Sequence, residues 1–136
     1  MHDLLHHRAN ATPKKTALID AETEEEWSYT ELDREVDGLA GKLANIGVEE
    51  GDHVGVLIDT RTEFVLIFHA VMRLGAVLVP LDVRLTPNEL RGQCDKFDIS
   101  VLVCETETQS KAVSTYEGAS EEFIVSVDPT QHRDIK

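Results

Sequence analysis

Four short apolar runs begin near residues 53, 77, 100 and 123, and the stretches between them carry helix signals. A repeat of roughly 23 residues is the length of one strand, one helix and two tight connections. The first run, HVGVLI at 53–58, is apolar at nearly every position instead of alternating with polar residues. A strand of that kind has to be covered on both faces, which is the situation of a parallel sheet with helical crossovers. The repeat therefore predicts an α/β fold, a mostly parallel sheet flanked by helices.

The intervening residues fill in the elements. A short helix over 3–10 is ended by Thr12-Pro13, and strands over 16–20 and 26–29 flank an acidic turn in a hairpin. Thr30, with Asp33 three residues on, is expected to cap a helix whose apolar stripe is Leu32, Val36, Leu39, Ala40 and Leu43 and whose stop is Gly47. Gly38 and Gly41 inside it are expected to mark close packing against a neighbour. Gly51-Asp52 turns into the strand at 53–58. A mostly apolar helix over 63–74 keeps Glu63, His69 and Arg73 on one edge. Gly75 closes it, and a strand over 76–79 is stopped by Pro80. Thr86-Pro87 caps a helix over 88–97, followed by a strand over 100–104. The pattern fades after Glu105 until a last strand at 122–127. The polar end, 128–136, reads as a linker after a single domain over 1–127.

The composition, 41% hydrophobic and 29% charged, is that of a globular chain. Asp and Glu number 26 against 13 Lys and Arg, a net charge of −13. That field repels nucleic acid and anionic lipid, which removes both from the expected partners. The acids are scattered along the chain, and the reading is a solvated acidic shell of halophile type. The longest apolar run, 64–72, is interrupted by His69 and closed by Arg73, too short to span a bilayer. The opening MHDLLHHRAN has no apolar core for a secretory signal, so a cytoplasmic location is expected. Cys94 and Cys104 fit no metal or redox spacing and read as small hydrophobes.

A search for chemistry finds little. None of the eight glycines are adjacent, no GxGxxG exists, and Gly41-Lys42 could end a phosphate loop only if Val36 were glycine. The pattern from His2 to His6 has Asp3 where a metalloprotease helix carries Glu, with no third ligand in view. No serine sits in GxSxG. His69 reads as the edge of a buried face.

The continuous pattern carries more. WSYTEL at 27–32, LANIGVEEGDHVGVLI at 43–58 and TRTEFVLIFHAVMRLGAVLVPLDVRLTPNEL at 60–90 resemble, in order and spacing, the start of the adenylate-forming superfamily. The resemblance runs from about 4 to 105 and implies the N-terminal subdomain of an AMP-forming acyl-CoA synthetase. Such enzymes use ATP, Mg²⁺ and CoA to activate a carboxylic acid, through an acyl-adenylate with release of pyrophosphate. The phosphate loop, adenine contacts and catalytic lysine of that family have no matching positions between 1 and 136. The resemblance thus implies catalytic, cofactor-binding and metal residues of none here, and an inactive piece of a longer enzyme. FHA at 68–70 and RLTPNEL at 84–90 are similar to o-succinylbenzoate–CoA ligases of menaquinone synthesis, and also to long-chain and aromatic acyl-CoA ligases. Asp59-Thr60 and Asp82 stand where the family commonly has asparagine. The implied partners are the rest of the longer chain and a small carboxylic acid, with a homodimer through uncovered apolar surface as a further expectation.

Two other readings stay open: an amino-acid adenylation domain that loads a carrier protein, and a receiver-like binding domain with Asp59 at a strand end. The acidic shell yields a measurable expectation. The melting temperature should rise steadily from low to molar KCl, and a flat profile would remove the halophile reading.

Overall fold

The computed structural model describes residues 3–115 and 124–127, together with the backbone of Arg133–Asp134. Helix α1 (Leu4–Ala11) is capped by Asp3, whose carboxylate accepts the N–H of His6 at 3.0 Å. Strands β1 (Thr16–Ile19) and β2 (Glu26–Ser28) pair antiparallel as the expected hairpin.

Helix α2 (Tyr29–Asn45) begins earlier than Thr30 would place it. Its cap is Ser28, whose Oγ accepts the N–H of Glu31 at 3.1 Å while the Glu31 carboxylate accepts the N–H of Ser28 at 3.0 Å. Ser28-x-x-Glu31 is the complete reciprocal box, and it prevails over the imperfect Thr30–Asp33 version. Asp33 is engaged elsewhere, on Arg73.

The main sheet is parallel throughout. Strands β3 (His53–Leu57), β4 (Val77–Pro80), β5 (Ile99–Cys104), β6 (Ile124–Ser126) and β7 (Arg133–Asp134) lie in the order β4-β3-β5-β6-β7. Between them run α3 (Thr62–Arg73), α4 (Pro87–Lys96) and α5 (Gln109–Thr115). Pro80 ends β4 as its last residue, paired with Val56. It is tolerated because β4 is an edge strand, and the next N–H, that of Leu81, reaches Val56 O at 2.9 Å. The faded pattern after Glu105 conceals a 3-10 turn, Thr106–Thr108, and the short α5. Residues 122, 123, 128–132, 135 and 136 of the expected last strand and linker lie outside the described residues.

Two apolar clusters sandwich the sheet. On one side Val36 and Leu43 of α2 and Ile67 and Val71 of α3 cover Val54, Val56, Val101, Val103 and Val125. On the other, Leu90 and Cys94 of α4 and Ala112 of α5 cover Leu57, Leu102, Cys104 and Ile124. Both cysteines are buried and unbridged. A register shift between His53 and Val54 puts Ile99 and Val101 on opposite clusters. Helices α2 and α3 both end in a glycine turn. The N–H of Gly75, at φ +71°, bonds Met72 O at 3.0 Å, and the N–H of Ala76 bonds Val71 O at 3.1 Å.

Arg73 closes the helical layer. Its Nε donates to Asp3 Oδ2 at 2.6 Å and its Nη2 to Asp33 Oδ1 at 2.7 Å, which ties the end of α3 to the start of α1 and the first turns of α2. The guanidinium is 16% exposed, so a planar two-pronged donor is needed to satisfy both carboxylates.

The glycines of α2 depart from expectation. A Cβ at Gly38 or Gly41 would meet nothing within 4 Å, so close packing does not explain either. Gly55 is the crowded one: its Cβ would lie 3.1 Å from Ile99, 3.2 Å from Leu81 and 3.4 Å from Leu102. Chemical denaturation should therefore separate two substitutions. Gly38→Ala is expected to stabilise by about 0.5–1 kcal/mol through helix propensity. Gly55→Val is expected to destabilise by about 1–3 kcal/mol through overpacking.

Candidate functional site

In open parallel sheets the place for a ligand is the crevice beyond the carboxyl ends of the strands, where the order of connection reverses. Here the chain leaves β3 for β4 on one side and returns to β5 on the other, so that point lies between Leu57 and Cys104. The residues at these ends are tied together. Thr108 Oγ1 donates to Leu57 O at 2.7 Å and accepts the N–H of Glu105 at 3.1 Å. The N–H of Asp59 donates to Glu105 Oε2 at 2.6 Å. Arg61 donates from Nε to Glu63 Oε2 at 2.7 Å, and its Nη1 lies 3.6 Å from Glu105 Oε1.

Glu105 is 2% exposed, the deepest carboxylate among the described residues. Burial drives its carboxyl above the usual range and a side-chain hydrogen bond with Glu107 adds to this, while the Asp59 N–H and Arg61 act in the opposite sense. Next to this edge, the β1–β2 hairpin and the 60–62 loop enclose a cleft of about 340 Å³. Asp20 stands in it, its carboxyl lowered by the backbone N–H groups of Thr23 and Glu22 that it accepts. Beyond β4, Asp82 accepts from Nη2 of Arg84 at 2.9 Å and is pulled down to about 2 by that guanidinium. Lys111 donates to Val83 O.

The candidates raised by sequence fall as follows. Gly41-Lys42 lies inside α2 and forms no loop. His2 is outside the described residues, and His6 faces Asp33 at 3.4 Å. His69 is half-buried on α3 and its basicity is lowered, by burial first and by Arg73, against the pull of Asp3. Asp59 sits at the strand end expected of a receiver-like site. Its carboxylate accepts the N–H of Thr60 at 2.9 Å, and Lys111 is turned to Val83. Among the described residues no group of three or more His, Cys, Asp or Glu could hold a metal ion. Among the described residues, the cations at this edge, Arg61, Arg84 and Lys111, are engaged in ion pairs or backbone contacts. The described residues thus do not fit ATP or Mg²⁺. No helix among them is long and apolar enough to cross a membrane. Sequence reasoning missed Glu105 and Thr108, since a lone Glu and a lone Thr at the end of an apolar run carry no spacing signal.

The pattern of the family described as AMP-binding enzyme matches residues 5–134. A 2-succinylbenzoate–CoA ligase from Bacillus cereus (strain Q1) is 34% identical over 116 residues, covering 85% of this chain and 24% of that protein. The chain thus spans about a quarter of the length of the curated relatives it matches. The inhibitor-bound N-terminal domain of FACL13 from Mycobacterium tuberculosis superposes with TM-score 0.76 at 25% identity, over 80% of this chain and 27% of that one. A luciferase-like enzyme from the mealworm Zophobas morio reaches TM-score 0.85 over 98% of this chain and 32% of its own, at 17% identity, a likeness of fold alone.

The lowered basicity of His69 has a pH consequence. Its folded-state pKa lies below the ordinary 6.5, so below that pH the unfolded chain binds the extra proton. The stability from keeping it neutral is present above pH 6.5 and is lost as pH falls. Imidazole NMR should place the titration of His69 below 6.5, and His69→Gln should flatten the acid limb of unfolding free energy just below pH 6.5.

Proposed function

The chain belongs to the AMP-binding enzyme family, and from that premise we propose that it is the N-terminal scaffold of an acid–CoA ligase. The longer enzyme would activate a carboxylic acid with ATP and Mg²⁺ and pass the acyl group to CoA, releasing AMP and pyrophosphate. The favoured acid is 2-succinylbenzoate, because the similar relatives with that printed name align over 85% of this chain at 34–36% identity. RLTPNEL at 84–90, which forms the Asp82–Arg84 corner and the capped start of α4, belongs to that likeness.

The observation that carries the scaffold reading is the state of the sheet's carboxyl edge. Its crevice holds the Glu105 carboxylate, which accepts the N–H of Asp59 and faces Arg61, and none of the described side chains there is arranged to receive a triphosphate. What these residues do is hold strands and loops in place for parts contributed elsewhere. ATP–pyrophosphate exchange on residues 1–136 with 2-succinylbenzoate is expected at background, with full activity only in the longer enzyme. Robust exchange on this chain alone would refute the scaffold reading, and a longer enzyme that prefers a fatty acid would refute the choice of substrate.

A further inference from the structure

We propose that the crevice between the carboxyl ends of β3 and β5 is a carboxylate site, occupied from within by Glu105 and able to take acetate once that side chain is removed. The topology puts the crevice where doubly wound sheets receive ligands. Three groups meet the carboxyl there: the N–H of Asp59 at 2.6 Å from one oxygen, the Arg61 guanidinium at 3.6 Å from the other, and the Glu107 side chain, which acts against the two donors. Groups other than the Glu105 carboxylate also hold these segments. Arg61 is held by Glu63 at 2.7 Å, and the Thr108 hydroxyl bonds the main chain of both strand ends, at Leu57 O and Glu105 N–H. Glu105 is almost wholly enclosed, so its loss leaves a lined space and an unpaired N–H that a small anion can satisfy.

Truncation to alanine removes the γ-carbon, the δ-carbon and two oxygens. Acetate supplies the same four heavy atoms. Formate is one carbon short and propionate one too long, so rescue should be strongest for acetate. This inference does not rest on the acid–CoA ligase reading, since the site lies within the scaffold and is separate from any acid that is activated.

The test is thermal unfolding of the full-length protein carrying Glu105→Ala, titrated with sodium acetate against sodium chloride at equal ionic strength. The expected result is a melting temperature that exceeds the chloride value by an increment saturable in acetate and smaller in propionate, as linkage to a bound ligand requires. The unsubstituted protein should respond alike to both salts, and adding Arg61→Ala should weaken the rescue. Equal responses of the variant to acetate and chloride, or an acetate response shared by the unsubstituted protein, would overturn the proposal. Where Glu105→Ala is recovered only unfolded, refolding yield is read in the same two salts. A gain in acetate alone supports the site, and equal yields overturn it.

Discussion

Strand β3 has to be buried on both faces, and this requirement organises the rest of the chain. Val54 and Val56 point into the layer of α2 and α3, Leu57 into the layer of α4 and α5, and at Gly55 the side chains of Leu81, Ile99 and Leu102 come too close for a Cβ. A parallel strand reaches its neighbours only through helical crossovers, so covering β3 dictates α3 between β3 and β4 and α4 between β4 and β5. The hairpin and α1 lie outside this arrangement and are attached to its flank. Leu5 enters the first cluster, and Leu18 and Trp27 pack against it.

Charge does different work at the two ends of the sheet. Arg73, at the end of α3, gathers Asp3 and Asp33 and locks three helices together. At the carboxyl edge, Glu105 accepts an N–H from the loop after β3 and faces Arg61, which Glu63 holds. Buried charges of this kind add little net stability over apolar substitutes, but they fix which geometry is adopted. The consequence at the second end is functional. The crevice there is closed by the chain's own carboxylate.

Much of this fold was legible in the sequence because its signals are local. The apolar run at 53–58, Gly75 after a mostly apolar helix, and Thr86-Pro87 ahead of α4 each specify a structure within a few residues. The errors came where two local signals competed or where partners were distant. Ser28-x-x-Glu31 stood two residues from Thr30-x-x-Asp33; the first forms the complete reciprocal box, and Asp33 is taken by Arg73, 40 residues on. Helix α5 is seven residues long with two buried positions, too few to show a period. The carboxyl-edge cluster was illegible because Asp59 and Glu105 lie 46 residues apart and meet only once β3 and β5 pair.

The scaffold role we propose requires that the carboxyl edge of this sheet does not itself bind nucleotide. Backbone amide NMR of the chain titrated with ATP and Mg²⁺ tests this most directly, since the N–H groups of Asp59, Thr60 and Glu105 report on the crevice. Unmoved resonances at these positions up to millimolar nucleotide are predicted. Saturable shifts confined to residues 57–62 and 105 would contradict the claim.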